Sequence, residues 1–356
     1  MTATLPETAA TEVSALQHPR LPRYAALIAL VVAGAATAIV GLSLGWGIGL
    51  IAFIGALVYL AGITTWSRLV ENARAATDRL VTSLVWVSFA IALIPLASLL
   101  YKVVSEGAPA LNGKFLSTSM RNVIDGPGGI YHAIIGTLLI TLGATVISVP
   151  IGLLSAVYLV EYGQGSRLAG WIRFLVDVMT GIPSIVAGLF AYALFSLIVG
   201  PGTQFGFGGS VALSILMIPI VVRSSEEMLK LVPSDLREAA YALGVPKWKT
   251  ILKVVIPTAL AGIITGVTLA IARVIGETAP LLIIAGATDS INMNLFGGQM
   301  ESLPVFIYYS YTQPGSNPDV LRQMAWGAAL VLIVIVMALN ILARVLGKVL
   351  SPKSGH

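Results

Sequence analysis

Residues Glu238 to Pro257 read EAAYALGVPKWKTILKVVIP: a short polar helix that stops at Gly244, then a basic stretch that returns to apolar sequence at Pro257. The surroundings make this stretch decisive. Of 356 residues, 57% are hydrophobic and 10% charged, against about 25% charged in soluble domains. With a mean hydropathy of +0.91, the chain reads as an integral membrane protein, and a polar loop of this length between spans calls for a partner.

The loop carries its own start and stop signals. Pro233-Ser234-Asp235-Leu236-Arg237-Glu238 reads as a helix start, with Asp235 as cap and Glu238 reaching back in capping-box fashion. Gly244 suits the left-handed position that ends a helix, and Pro246 blocks continuation. The predicted helix is 235–243. Ala239 and Ala240 permit close approach, Tyr241 and Leu243 offer apolar contact, and Lys247-Trp248-Lys249 begins a basic helix toward Pro257. Helices shorter than about 12–15 residues are marginal in water. Either a groove on a soluble subunit or the lipid headgroups must hold this one.

Outward from the loop, eight spans are predicted: 25–44, 47–66, 80–100, 133–160, 169–198, 209–222, 255–286 and 325–347. Several reach the roughly 20 apolar residues a bilayer requires. Pro150, Pro183 and Pro280 are candidate kinks. The run Ala25–Leu44 exceeds a signal core of about 7–15 residues and reads as an uncleaved first span. The context Ala33-Gly34-Ala35 leaves cleavage as the alternative. With the N-terminus cytoplasmic, sixteen of the 21 Lys and Arg fall in inner segments, four (Lys102, Lys114, Arg121, Arg322) in outer ones, and Arg273 within a span. The positive-inside rule then puts both termini and the loop 223–253 in the cytoplasm. The predicted organisation is a tail 1–24, an accessory hairpin and linker 25–79, a six-span core 80–348 and a tail 349–356. Outer segments 102–132 and 287–324 are long and punctuated by Gly and Pro. They are expected to be ordered against a partner or a channel mouth.

Several functions are excluded by composition. There is no cysteine, and His18, His132 and His356 are scattered, so no metal site is expected. No nucleophile–base constellation is visible. Net charge +5 fits cytoplasmic anchoring better than nucleic-acid binding. The nearest sequence to a phosphate loop, Gly107 to Lys114, has one residue too many and lacks Ser or Thr after the lysine. Any ATP chemistry belongs to another polypeptide.

Two charge pairs stand inside spans. Arg273 and Glu277 share a helix face at i, i+4, and an intramembrane Arg costs at least about 2.5–3.5 kcal/mol. The pair is either self-neutralising structure or an anion-reading fork tempered by a carboxylate. Arg173 and Asp177 repeat the spacing near a span end, where snorkelling is the simpler account. Thr180-Gly181-Ile182-Pro183-Ser184 weakens the fifth span, and Gly181 with Gly188 offers a small-residue packing face. Thr137, Thr141 and Thr145 recur along the fourth span, as pathway lining or as helix packing.

The spacing Glu238-Ala239-Ala240, three residues, Gly244, nine residues, Val254-x-Ile256-Pro257 resembles the EAA loop of binding-protein-dependent ABC importer permeases. Arg273–Leu282, Thr180–Gly188, Ser302–Tyr308 and Gly136–Gly143 resemble the PstA family of phosphate-transport permeases, over about residues 80–348. The hairpin 25–66 departs from that family's six-span pattern. The resemblance implies an all-α, six-span type I importer core and a phosphate-import permease, not an enzyme, in the bacterial cell membrane. It also implies a PstC-like sister permease, two PstB-like ATPases using ATP and Mg²⁺, and a PstS-like phosphate-binding protein outside. No cofactor is expected on this chain. Asp235, Glu238, Ala239, Ala240, Tyr241, Leu243, Gly244 and Pro257 become the expected ATPase contact, and Arg273, Glu277, Thr278, Ser184 and Thr180 the expected pathway. An importer permease for another oxyanion or an amino acid is the nearer alternative. An ATP-independent anion transporter is the remoter one, since it has no need of the loop.

Overall fold

The computed structural model describes residues 20–123 and 126–350, with side chains to Gly347. The predicted termini through residue 19 and beyond 350, with His18 and His356, lie outside the described residues. Among the described residues every regular element is helical. Within them seven helices are long and apolar enough to cross a membrane, eight if a bent pair counts as one span. The chain is a multi-pass membrane protein.

It divides into two compact units, Met1–Leu100 and Tyr101–His356. The first unit begins with α1 (Ala25–Ser43) and α2 (Ile48–Val70). Gly45, at φ +69°, makes the tight turn between them. At the other end Glu71 gathers the chain. Its carboxylate accepts from Ser67 Oγ (2.6 Å), the Leu21 amide (2.8 Å) and, through both oxygens, Arg79 at 2.8 Å. Asn72 then caps α3 (Ala73–Gly107) by accepting from Ala75 N–H at 2.8 Å.

The Arg79 hydrogen bonds, helped by Ser67 and Leu21 and opposed by burial, lower the Glu71 carboxyl from 4.5 to about 2. A depressed acid stabilises the fold above its unfolded value and loses that contribution as pH falls through the folded value. Purified wild type and Glu71→Gln should therefore differ in melting temperature at pH 7 and converge as pH falls from 4.5 toward 2. A gap that persists unchanged to pH 2 refutes the clasp.

The second unit is built around α5 (Tyr131–Val157) and α8 (Gly206–Lys230). Their core joins Ile140 and Ala144 to Leu213, Met217 and Val221, and continues to Ala270 and Val274 of α11 (Ile256–Val274). Serines permit the close approach: Ser210 Oγ donates to Ile140 O at 2.9 Å. In lipid, such packing and bonding between helices replaces the hydrophobic drive. Pro219 sits inside α8 without ending it. The predicted span 209–222 is only the apolar middle of a longer helix.

The outer segments fold on the unit's own core. Asn112 caps α4 (Gly113–Ser117), and Phe115 packs with Ile130, Ala133, Leu303, Phe306, Met324 and Ala328. The last four of these belong to α13 (Leu303–Thr312) and α14 (Pro318–Leu350). His132 and Glu301, both buried, approach to 3.1 Å. Burial pushes the Glu301 carboxyl up, opposed by the His132 hydrogen bond.

Two predicted spans are not continuous. In place of 169–198 stand α6 (Arg167–Thr180) and α7 (Ser184–Ile198), bent by 110°. Gly181 ends the first helix, and Pro183 holds extended backbone before the second. In place of 255–286, α11 ends at Val274, and a six-residue α12 (Ala279–Ile284) follows a break that contains Glu277 and Thr278.

Candidate functional site

On the loop side, α8 ends at Lys230 and α9 (Ser234–Ala242) follows. The predicted capping box is absent. Pro233 occupies the cap position, so the helix starts one residue early and Asp235 lies inside its first turn. The stop matches expectation. Gly244 takes φ +74°, and the amides of Gly244 and Val245 donate to Tyr241 O (2.9 Å) and Ala240 O (3.1 Å). Next come α10 (Lys247–Thr250), a π-turn Ile251–Val255 and α11 with Pro257 in its first turn.

Of the loop's expected contact residues, Ala240 is buried and the others are exposed, Leu243 by 84%. Leu231, Leu236, Tyr241 and Trp248 are also exposed. Singly exposed apolar residues mean little, but a capped polar helix rimmed by them is a surface suited to a protein partner.

Beneath α9 lies a polar cavity of about 480 Å³ lined by Glu161, Tyr162, Lys230, Arg237, Tyr241 and Lys247. Arg237 donates through Nε and Nη2 to Glu161 Oε1 at 3.0 and 2.9 Å. Its nitrogens also reach Val232 O at 2.6 Å and Leu229 O at 3.0 Å. Lys247 Nζ donates to the Glu161 carbonyl and stands 4.8 Å from the Tyr162 ring. Sequence reading passed over Glu161 because a lone Glu after an apolar run looks like an interfacial charge. Its partners are 76 and 86 residues away.

Arg173 and Asp177, four residues apart, do not bond each other. Arg173 turns to Glu226 (3.5 Å) and Asp177 to Arg223, both on α8. Glu226, almost fully buried, also meets Arg223 at 3.6 Å and Lys230 at 2.8 Å. Both residues find partners on the neighbouring helix, so the i, i+4 spacing yields to cross-helix partners.

The other predicted pair is made. Arg273 Nη1 donates to Glu277 Oε1, with the guanidinium side 63% exposed and the carboxylate 11%. Gly188 brings the two broken segments together: a Cβ there would lie 2.6 Å from Pro280 Cα. That contact packs α7 on α12, next to Thr278. Gly181 has no such role, since only Val178 O comes within 4 Å of an added Cβ. Thr180 donates back to Val176 O at 2.8 Å, and neither it nor the half-buried Ser184 bonds the Arg273–Glu277 pair. Thr137 serves packing, accepting from Leu303 N–H at 2.7 Å.

Residues 148–356 match the family described as "Binding-protein-dependent transport system inner membrane component". That span is more than half of the chain and defines the class: a transport permease of the inner membrane. The chain is 47% identical over 276 residues to "Phosphate transport system permease protein PstA 1" of Mycobacterium tuberculosis H37Rv, covering 77% of this chain and 88% of that one. It is 39% identical over 272 residues to "Phosphate transport system permease protein PstA" of Haemophilus influenzae, covering 76% and 94%. The chain belongs to the PstA family. The fold is also similar, with a TM-score of 0.58 at 14% identity, to a chain in "Crystal structure of bacterial alginate ABC transporter in complex with alginate pentasaccharide-bound periplasmic protein", covering 79% of this chain and 97% of that one.

Proposed function

We propose that this protein is the transmembrane permease subunit of an ATP-driven phosphate importer, forming half of the translocation pathway. The observation that carries the reading is 47% identity, over three quarters of the chain, to a phosphate transport system permease. The six-span core of 80–348 pairs with a PstC-like sister. A PstS-like protein delivers phosphate outside, and two PstB-like ATPases bind inside. Both termini face the cytoplasm, as the distribution of Lys and Arg requires.

In this scheme α9 is the docking helix, presenting Asp235, Glu238, Ala239, Tyr241 and Leu243, with Ala240 seated beneath and Gly244 and Pro257 shaping the return. ATP-driven closure of the ATPases pulls α9 and opens the core outward, and hydrolysis resets it. The pathway runs past Arg273, Glu277 and Thr278, with Thr180 and Ser184 on the facing broken segment.

Gly244→Val tests the docking. Nothing lies within 4 Å of an added Cβ, so the first added carbon meets no clash. It imposes backbone strain of about 1–3 kcal/mol at a positive φ. The ATPase co-purifying with the permease is expected to fall about tenfold while the permease pair stays intact. Full ATPase recovery refutes α9 as the dock. Competition of labelled phosphate uptake by molybdate or amino acids tests the cargo, and equal competition refutes phosphate.

A further inference from the structure

We propose that Glu161 is the joint through which movement of α9 reaches the membrane core, a positioning residue rather than a contact for ATPase or phosphate. The inference rests on the reading of α9 as the docking helix, and goes beyond it by naming where the force enters.

Glu161 lies in a π-turn, Tyr158–Tyr162, that prolongs α5. A carboxylate at a helix C-terminus faces the negative end of the macrodipole, and the last carbonyls there lack intrahelical partners. Both needs are met from the loop. Arg237 on α9 binds the buried carboxylate, and Lys247, where the chain turns back, binds the main-chain carbonyl of the same residue. The loop's outgoing and returning arms therefore converge on one residue of another span.

Arg237 is stiff in this position. Its remaining donors hold Leu229 O and Val232 O, so the turn between α8 and α9 moves with it. Beside this clasp, Ala156 of α5, Leu229 and Val232 around the end of α8, and Val255, Ala259 and Ile263 of the return helix form one apolar cluster. The return helix carries its own π-turn at Ile251–Val255. Such turns are rare and concentrate at functional sites, and here one holds Glu161 and the other opens the return helix next to Lys247. The helical segment Tyr131–Tyr162 has 32 residues, so a pull at Glu161 acts on a rod of about 48 Å whose far end packs against Glu301 and Leu303.

The test uses the whole complex, with sister permease, ATPases and binding protein, reconstituted in liposomes. ATP hydrolysis and labelled phosphate uptake are measured together. The cavity beside Arg237 admits water to the guanidinium once its partner is gone, so Glu161→Ala is expected to assemble with wild-type ATPase content. Its hydrolysis should stay within about twofold of wild type while uptake per ATP falls about tenfold. Glu161→Gln, which keeps an acceptor oxygen for Arg237, should lose about threefold. Unchanged uptake per ATP in Glu161→Ala, or uptake and hydrolysis falling in proportion, overturns the joint. Should the alanine variant not assemble, the same comparison on Glu161→Gln decides. Failure of the wild-type permease to hold the ATPase instead overturns the docking reading.

Discussion

Gly136→Ala is expected to leave almost no folded protein in the membrane. An added Cβ would stand 1.9 Å from the Glu301 carbonyl oxygen, 2.9 Å from the carbonyl carbon and 3.1 Å from Met300 Cγ. The obstacle is backbone, and that backbone is tied down. Met300 N–H donates to Ala285 O at 3.0 Å, Leu303 N–H to Thr137 Oγ1 at 2.7 Å, and Glu301 meets His132 at 3.1 Å. Overpacking alone costs about 1–3 kcal/mol. Displacing residues 300–303 also leaves a buried amide without its acceptor, at about 1–3 kcal/mol more. The check is the yield of monodisperse protein in detergent, beside Gly170→Ala. Nothing lies within 4 Å of a Cβ at Gly170, and alanine is the better helix former. Equal yields of the two variants would show that residues 300–303 can yield.

What could be read in advance was local chemistry. Gly244 and Pro246 stop a helix wherever they occur, so the end of α9 falls within one residue of expectation. Its start is also one residue off, but by a different device: Pro233 fits the position before a helix without a side-chain cap and moves Asp235 into the first turn. Gly181 and Pro183 mark a weak point and a candidate kink in the fifth span, and the chain bends there by 110°; the size of the bend was not legible, because hydropathy averaged over a span runs on across 181–183. Hydropathy likewise joined α11 to α12, because a single charged residue, Glu277, does not end an apolar run.

Long-range partners were beyond reach for a different reason. The i, i+4 rule names what a side chain can touch on its own helix, and Arg273–Glu277 obeys it. Arg173 and Asp177 satisfy it equally in sequence, yet bond Glu226 and Arg223, 53 and 46 residues away. The difference is competition. Nearly enclosed Glu226 lies within 3.6 Å of Arg173, Arg223 and Lys230, while among the described residues Glu277 is the carboxylate that bonds Arg273. His132 and Glu301 meet across 169 residues, and no spacing encodes that.

Arg273→Gln is expected to lower phosphate uptake about 100-fold in a complex that still assembles. The geometry sets Arg273 apart from a buried structural cation. Glu277 is shielded while the Arg273 side chain is nearly two-thirds exposed in this chain, and among the described residues only Nη1 is engaged, leaving donors of a planar fork that matches an oxyanion. The residue sits in the last turn of α11, where the helix dipole favours a cation. Losing a charge-assisted contact of about 3 kcal/mol corresponds to about two decades in uptake. Arg273→Lys keeps the charge without the fork and should fall between. The double variant Arg273→Gln with Glu277→Gln separates the two readings of the pair. If the charges only neutralise one another, removing both leaves no uncompensated ion and uptake returns toward wild type. If Arg273 reads the anion, the double variant stays as impaired as Arg273→Gln alone. Recovery of uptake in the double variant would assign the pair to structure and move the phosphate contact elsewhere.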